Sequence, residues 1–208
     1  MIIQTLGSLL THDLPGMEIQ STMSPAGSQT RKYCQVPQHA RQAAVMLLLY
    51  EKNEVWYTAF IKRTQNQKDR HSGQISLPGG RLEVNDESLM NCALRETYEE
   101  VGINGRSINV IGQMSQLYVF ASDYLVFPFV GYVNNFSNFE KQPSEVEEII
   151  QIPISYLVQS EVVKSKQMDL GKYRNIAVPY YDLYGETLWG ATAMMVAEFI
   201  YIWKKAYA

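Results

Sequence analysis

The stretch "RETYEEVG" at residues 95–102 is the most informative part of this sequence. It places Glu96, Glu99 and Glu100 within five consecutive positions, directly after Arg95. On a helix, Glu96 and Glu100 repel each other by roughly 0.2–0.5 kcal/mol, and glutamates near a helix C-terminus face the unfavourable end of the helix dipole. A bound divalent cation would offset both costs, because hard cations such as Mg²⁺ and Mn²⁺ prefer carboxylate oxygens. The alternative is a solvated acidic face on a surface helix.

A helix is predicted around this stretch, over about residues 87–101. Asn85 or Asp86 is the predicted N-cap, and Gly102 suits the left-handed residue just past the C-terminus. The glutamates are expected on the side opposite the core. The predicted core stripe is about 60° wide and consists of Met90, Leu94, Thr97 and Val101.

A glycine turn precedes this helix. Pro78, Gly79 and Gly80 let the backbone turn sharply and expose carbonyls and amides beside the helix. Most such glycine pairs only make turns, so the evidence for a functional site is the combination of turn, arginine and glutamates in this order.

This combination resembles the Nudix box, and the resemblance extends over nearly the whole chain. After Gly80, the matching positions are Glu87, Arg95, Glu96, Glu99, Glu100, Gly102 and Ile103. Six residues separate Gly80 from Glu87, where the family usually has five. That longer spacing resembles the coenzyme A pyrophosphatases, as do Arg63, Gly73, Pro78 and Asp86; the departures are Thr64, Leu77, Glu83 and one more residue between Arg63 and Gly73.

The resemblance implies an α+β fold, namely a Nudix-type α/β/α sandwich with a mixed sheet and a loop–helix–loop catalytic motif. It also implies a metal site for Mg²⁺ or Mn²⁺, with Glu96 and Glu100 as principal ligands, Glu99 sharing the metals and the Gly79 carbonyl completing the cage. Arg95 would pair with the first acid of the box and orient the helix. That acid is taken to be Glu87.

Two residues are candidates for the general base. Glu145 lies where the similar subfamily carries a loop glutamate facing the metals, and Glu96 is its rival. The alternative for Glu145 is a surface acid beside Glu147 and Glu148. The sequence does not decide between Glu145 and Glu96.

Substrate contacts are predicted in two places. Arg63, Lys68 and Arg70, together with His71, form a basic loop that could hold the phosphates of a substrate. An adenine base or a pantetheine chain could be contacted by Tyr118, Phe120 and Trp189, which would stack on the base or line a groove for the chain. The alternatives are a solvated basic loop and ordinary core aromatic residues.

The rest of the chain is predicted to complete one Nudix domain over 41–208, with residues 1–40 as an N-terminal helix and extended lead-in packed on it. Strands are predicted over 43–50, 55–61, 74–80, 108–120, 124–133 and 175–183, with a turn at 52–54 between the first two. Helices are predicted over 153–159 and 190–206, and a short helix from residue 5 is ended by residues 14–16. This order suggests a mixed sheet with helices on both sides.

Composition limits the partners. The formal net charge of −3 gives no reason to expect binding to nucleic acid or to an anionic membrane. No apolar run reaches the roughly 20 residues that a spanning helix needs. The two cysteines, Cys34 and Cys92, fit neither a zinc site nor a disulfide framework, which favours a reducing cytoplasm. A homodimer is a possible assembly.

Three functions are compatible with these residues. The first is a coenzyme A diphosphatase that releases 3′,5′-ADP and 4′-phosphopantetheine. The second is hydrolysis of ADP-ribose or another nucleotide conjugate. The third is a non-catalytic Nudix-like module that binds a nucleotide.

Overall fold

The computed structural model describes residues 2–12, 14–25, 36–65, 72–171 and 173–207. Its helices are α1 (Ile2–Leu10), α2 (Met17–Gln20), α3 (Leu89–Val101), α4 (Ile154–Leu157) and α5 (Gly190–Ala206). Its strands are β1 (Arg41–Lys52), β2 (Val55–Arg63), β3 (Ile75–Ser76), β4 (Gly79–Arg81), β5 (Ile108–Gln113), β6 (Leu117–Val119), β7 (Tyr124–Val133), β8 (Val146–Pro153), β9 (Val163–Leu170), β10 (Tyr173–Leu183) and β11 (Glu186–Trp189).

The first hairpin follows from local sequence. The run of apolar residues in β1 is buried on both faces of the sheet, as predicted. Asn53 and Glu54 connect β1 to β2, and both have positive φ, 54° and 62°. Two left-handed residues in a two-residue loop match the right-handed twist of antiparallel strands. The predicted turn at 52–54 is therefore confirmed.

The main sheet is mixed and has eight strands within the described residues. The order is β3-β2-β1-β7-β5, with β4 pairing with β1, β6 with β7 and β8 with β2. Strands β1 and β7 run parallel, and the other pairs are antiparallel. β1 pairs with β2 at one end and with β4 at the other, so β3 and β4 enter the gap where β1 and β2 diverge. The glycine turn is thus part of the sheet.

Helices cover both faces of this sheet, which confirms the predicted α/β/α arrangement. Leu47 and Leu49 face a core built with α1 and α5. Met46 and Leu48 face a second core that includes the buried side of α3. Alternate residues of β1 therefore serve two hydrophobic cores.

The N-terminal helices pack on α5 through a buried polar cluster. Glu198 is fully buried and accepts hydrogen bonds from the Gly16 amide (3.1 Å) and from Gln20 Nε2 (2.8 Å). Gln20 Nε2 also donates to the Ser115 carbonyl (3.1 Å). This cluster joins α2, α5 and the loop between β5 and β6. The domain boundary at residue 40 stays a prediction.

A small antiparallel sheet, β9-β10-β11, follows the main sheet. It is tied to β2 by Lys62, whose Nζ donates to Glu186 (2.7 Å) and lies 3.8 Å from Glu147. Strands β8, β9 and β11 are additions to the predicted elements. Helix α5 begins and ends where it was predicted. Across the described residues, no helix combines the length and apolar character needed to cross a membrane.

Candidate active site

Helix α3 begins later than predicted. Its N-cap is Ser88, whose Oγ accepts a hydrogen bond from the Asn91 amide (3.1 Å), so Asn85 and Asp86 were wrong as N-cap predictions. The C-terminal prediction is confirmed, because Gly102 adopts a left-handed φ of 75°. The helix therefore has a defined start and stop around the glutamates.

The buried side of α3 differs from the predicted stripe. The buried residues are Cys92, Ala93, Thr97, Glu100 and Val101, whereas Met90 is 40% exposed. On a helical wheel this side is turned by roughly 60–70° from the predicted one. The small side chains of Cys92 and Ala93 pack in the same core as β1, and the rotation carries Glu100 into the interior.

Glu100 is a buried carboxylate at the glycine turn. It is 1% exposed, its Oε2 accepts the Gly79 amide (2.8 Å), and its Oε1 lies 3.7 Å from Arg63 Nη1. Burial is the main cause that raises the pKa of Glu100 to about 8; the Gly79 amide opposes this shift, and the negative charge of Glu96 adds to it. A bound cation would stabilise the charged form of this buried side chain.

Glu96 lies against Gly80. A Cβ atom added to Gly80 would lie 2.3 Å from Glu96 Oε1, so the position must be glycine for this carboxylate to remain in place. Burial raises the pKa of Glu96, the hydrogen bond from Arg95 opposes that effect, and Glu99 and Glu145 add to it. The glycine turn therefore borders both Glu96 and Glu100.

Arg95 organises the acidic cluster, but its partner is not the predicted one. Its Nε and Nη2 donate to the two oxygens of Asp86, both at 2.9 Å. Its Nη1 donates to Glu96 Oε1 and Glu99 Oε2, both at 2.9 Å. The predicted pair with Glu87 is wrong.

Spacing explains why Asp86 takes this role. Five residues separate Gly80 from Asp86, which is the usual distance between the glycine and the first acid of the box, whereas six precede Glu87. Glu87 instead accepts a hydrogen bond from Asn91 Nδ2 (3.2 Å). The Arg95 guanidinium lowers the pKa of Asp86 to about 2. Counting from the glycine would have identified Asp86 from the sequence.

Glu145 reaches the same region from another part of the chain. Its carbonyl accepts the Thr64 amide (2.9 Å), next to Arg63 at the end of β2. Its charge is one of the smaller contributions to the raised pKa values of Glu96 and Glu100. Glu145 is solvent-exposed, unlike Glu100.

Tyr118 is not brought into this cluster. Tyr118 lies on β6, which is separated from β4 by β1 and β7, or about 14 Å at roughly 4.8 Å per strand. Its hydroxyl donates to Asp123 (2.8 Å), and its ring packs edge-on against Phe120. Its substrate contact stays a prediction. Lys68, Arg70 and His71 lie outside the described residues, as does Cys34; Cys92 is a free, buried thiol.

The donor chemistry of the site fits a hard divalent cation. Glu96 and Glu100 present carboxylate oxygens beside the backbone of Gly80 and Gly79, and Glu99 shares the Arg95 guanidinium with Glu96. Among the described residues no three acidic, histidine or cysteine groups already converge as a complete ligand set. Instead, Arg95 donates hydrogen bonds to one carboxylate oxygen of Glu96 and to one of Glu99. Oxygen-only donors and excess negative charge suit Mg²⁺ or Mn²⁺.

The comparison with known proteins shows the family of this chain. The model of the NUDIX domain matches residues 39–170, which is well over half of the chain. The chain belongs to the Nudix hydrolase family. The uncharacterized Nudix hydrolase NudL of Photorhabdus laumondii is 31% identical over 159 residues, covering 76% of this chain and 82% of that protein.

A second relative has a more specific name. The peroxisomal coenzyme A diphosphatase NUDT7 of Mus musculus is 33% identical over 127 residues, covering 60% of this chain. The alignment spans about half of that relative, 52% of its length.

Solved structures support the fold. The MutT protein of Methanosarcina mazei Go1 aligns with a TM-score of 0.51 at 21% identity, covering 79% of this chain and 95% of that one. A MutT/nudix family protein of Enterococcus faecalis aligns with a TM-score of 0.50 at 13% identity, covering 87% of this chain and 70% of that one. At these identities the likeness concerns the fold alone. As a Nudix hydrolase, the protein is an enzyme that acts on phosphorus-containing anhydrides.

Proposed function

We propose that this Nudix hydrolase cleaves the pyrophosphate bond of coenzyme A or its derivatives and releases 3′,5′-ADP and 4′-phosphopantetheine. The observation that carries the proposal is the 33% identity to a coenzyme A diphosphatase over 127 residues that include the catalytic helix. Arg63, Gly73 and Pro78, which resemble the same subfamily, agree with the proposal.

The arrangement of side chains is suited to a diphosphate. A divalent cation, when bound, would neutralise the phosphate charge and acidify a water molecule. Glu96, Glu99 and Glu100 would hold Mg²⁺ or Mn²⁺, with the Gly79 carbonyl as a further oxygen donor. Arg63 is partly exposed and lies 3.7 Å from Glu100, where its permanent charge can meet a phosphate oxygen.

Glu145 is the residue proposed to remove the proton from the attacking water. Its carboxylate is solvent-exposed and lies close enough to Glu96 and Glu100 to influence both. Glu96 is less suited to this task, because it already accepts a hydrogen bond from Arg95 at 2.9 Å. A base must reach the water and be free to accept its proton.

The test is a substrate panel with Mg²⁺ or Mn²⁺. Coenzyme A, an acyl derivative, dephospho-coenzyme A, ADP-ribose and NADH are compared by kcat/KM, and the products of coenzyme A cleavage are identified by mass spectrometry. Coenzyme A or its acyl form should give the largest kcat/KM. A clear preference for ADP-ribose or dephospho-coenzyme A would contradict the proposal and leave the family assignment intact.

Variants test the residue roles separately. Glu100→Gln should abolish turnover and weaken Mn²⁺ binding measured by calorimetry, and full retained activity would refute its role as a ligand. Glu145→Gln should lower kcat by about 10²–10⁴-fold, the typical contribution of a general base. Glu147→Gln is the matched control, because Glu147 is a neighbouring exposed acid that faces Lys62. An equal loss in both variants would reject Glu145 as the base.

A further inference from the structure

The turn that carries Glu145 is held in place by Thr64. The Thr64 amide donates to the Glu145 carbonyl (2.9 Å), and the Thr64 hydroxyl donates to the Ser144 carbonyl (3.1 Å). One residue at the end of β2 therefore binds two consecutive carbonyls of the turn. The amide bond is available to almost any residue, whereas the hydroxyl bond requires a serine or a threonine.

The other side of the turn is fixed to the catalytic helix. The carbonyl of Gln142 accepts the amides of Glu145 (3.1 Å) and Val146 (2.8 Å), and the amide of Gln142 donates to the Glu100 carbonyl (3.1 Å). The backbone around Glu145 is thus bonded towards α3 on one side and towards β2 on the other. Among these contacts, the Thr64 hydroxyl is the one made by a side chain.

We infer that Thr64 is a positioning residue, whose hydroxyl sets the place of the Glu145 carboxylate relative to Glu96 and Glu100. The inference rests on the proposed role of Glu145 and adds a residue to it. Thr64 acts through the turn and is not expected to touch the substrate. Misplacement of a catalytic group by about 1 Å is enough to lower a rate by up to about 10²-fold.

The kinetic test compares Thr64→Val with Thr64→Ser in the metal-loaded enzyme, on whichever substrate of the panel is cleaved best. Valine keeps the branched shape and removes the hydroxyl, whereas serine keeps the hydroxyl. Thr64→Val should lower kcat by about tenfold with little change in KM, and Thr64→Ser should stay within about twofold of the wild type. Equal kcat values for the two variants would overturn the inference.

A double-mutant cycle identifies the residue through which Thr64 acts. If the hydroxyl works through Glu145, Thr64→Val should have no further effect in the Glu145→Gln background. A full additional loss in that background would show that Thr64 acts elsewhere and would overturn the inference. Because any cleaved diphosphate can be used, failure of the coenzyme A proposal would leave this outcome readable.

A measurement without turnover gives the second readout. In the metal-free protein, hydrogen exchange at the amides of Glu145 and Val146 should be faster in Thr64→Val than in the wild type, and Thr64→Ser should restore the wild-type rate. Unchanged exchange in Thr64→Val would reject the positioning role. Mn²⁺ affinity should be the same in all three proteins, and a loss confined to Thr64→Val would place the hydroxyl at the metal site and contradict the inference.

Discussion

The clamp between Asp86 and Arg95 gives the sharpest prediction, because a neighbouring acid provides its control. Asp86→Asn removes the charge that pairs with Arg95 through two hydrogen bonds of 2.9 Å. Glu87→Gln makes the same chemical change one residue later, at an acid that contacts Asn91 instead. The structure predicts that Asp86→Asn loses stability and activity, whereas Glu87→Gln keeps both.

The magnitude follows from the pKa of Asp86. Its side chain is 4% exposed, and a carboxylate whose pKa falls from 3.8 to about 2 on folding contributes about 2 kcal/mol of stability at neutral pH. For a domain of this size, that loss lowers Tm by about 4–8 °C. Glu87→Gln should change Tm by less than about 2 °C, as expected for a substitution of an exposed residue.

The sign of the pH dependence is a second check. Because the pKa of Asp86 is lowered by folding, its contribution is complete above about pH 4 and disappears as the pH falls from about 4 to 2. The difference in unfolding free energy between wild type and Asp86→Asn should therefore shrink over that interval. Urea unfolding monitored by circular dichroism at several pH values measures it.

Activity should follow the same ranking. Arg95 also binds Glu96 and Glu99, so the loss of Asp86 should disorder the acidic cluster and lower kcat/KM by about tenfold or more. The reasoning would be refuted if Asp86→Asn had the same Tm as the wild type while the Tm of Glu87→Gln fell by several degrees.

Three further predictions concern other contacts. Gly80→Ala should fold with a Tm within about 2 °C of the wild type, because the new Cβ meets only the flexible end of the Glu96 side chain. Its kcat should fall by at least about tenfold, because the Glu96 carboxylate is displaced. A Mn²⁺ titration that matches the wild type would contradict this. Gly79→Ala should instead destabilise the fold by several kcal/mol, because its Cβ would lie 2.4 Å from the carbonyl oxygen of Ala44, and soluble protein with a normal Tm would disprove it. Glu198→Ala should cost about 2–4 kcal/mol, because the Gly16 amide and the Gln20 side chain lose a buried acceptor; a calorimetric Tm within 1 °C of the wild type would show that the cluster adds little.

Much of the fold could be predicted from sequence pattern alone. Helix α5 and the hairpin of β1 and β2 were placed well, because one has a long apolar pattern and the other has two apolar runs around a polar turn. Strand β9 was not identified, because it is mostly exposed and its sequence, "VKSKQMDL", has no apolar alternation. It is held by pairing with β10, the next strand along the chain, and that backbone pairing does not require an apolar pattern in β9 itself.

The site shows where a local pattern is insufficient. The hydrophobic stripe predicted that Met90 would be buried and Glu100 would face solvent, and both expectations were wrong. Small residues at 92 and 93 set which side of α3 approaches the sheet, and the Gly79 amide gives Glu100 a partner inside. The choice of Glu87 over Asp86 failed for a different reason, because the residue identity was matched to the box while the distance from Gly80 was not.

The insertion of β3 and β4 between β1 and β2 has a consequence for how this enzyme could diversify. Because Gly79 and Gly80 belong to a sheet ladder, their backbone cannot be remodelled without breaking strand pairing in the middle of the protein. The backbone beside the acidic cluster is therefore expected to keep the same conformation when other parts of the protein change. New substrate preferences would have to arise on peripheral elements, such as the β6 hairpin that presents Phe120, which can vary while the hydrolytic chemistry stays the same.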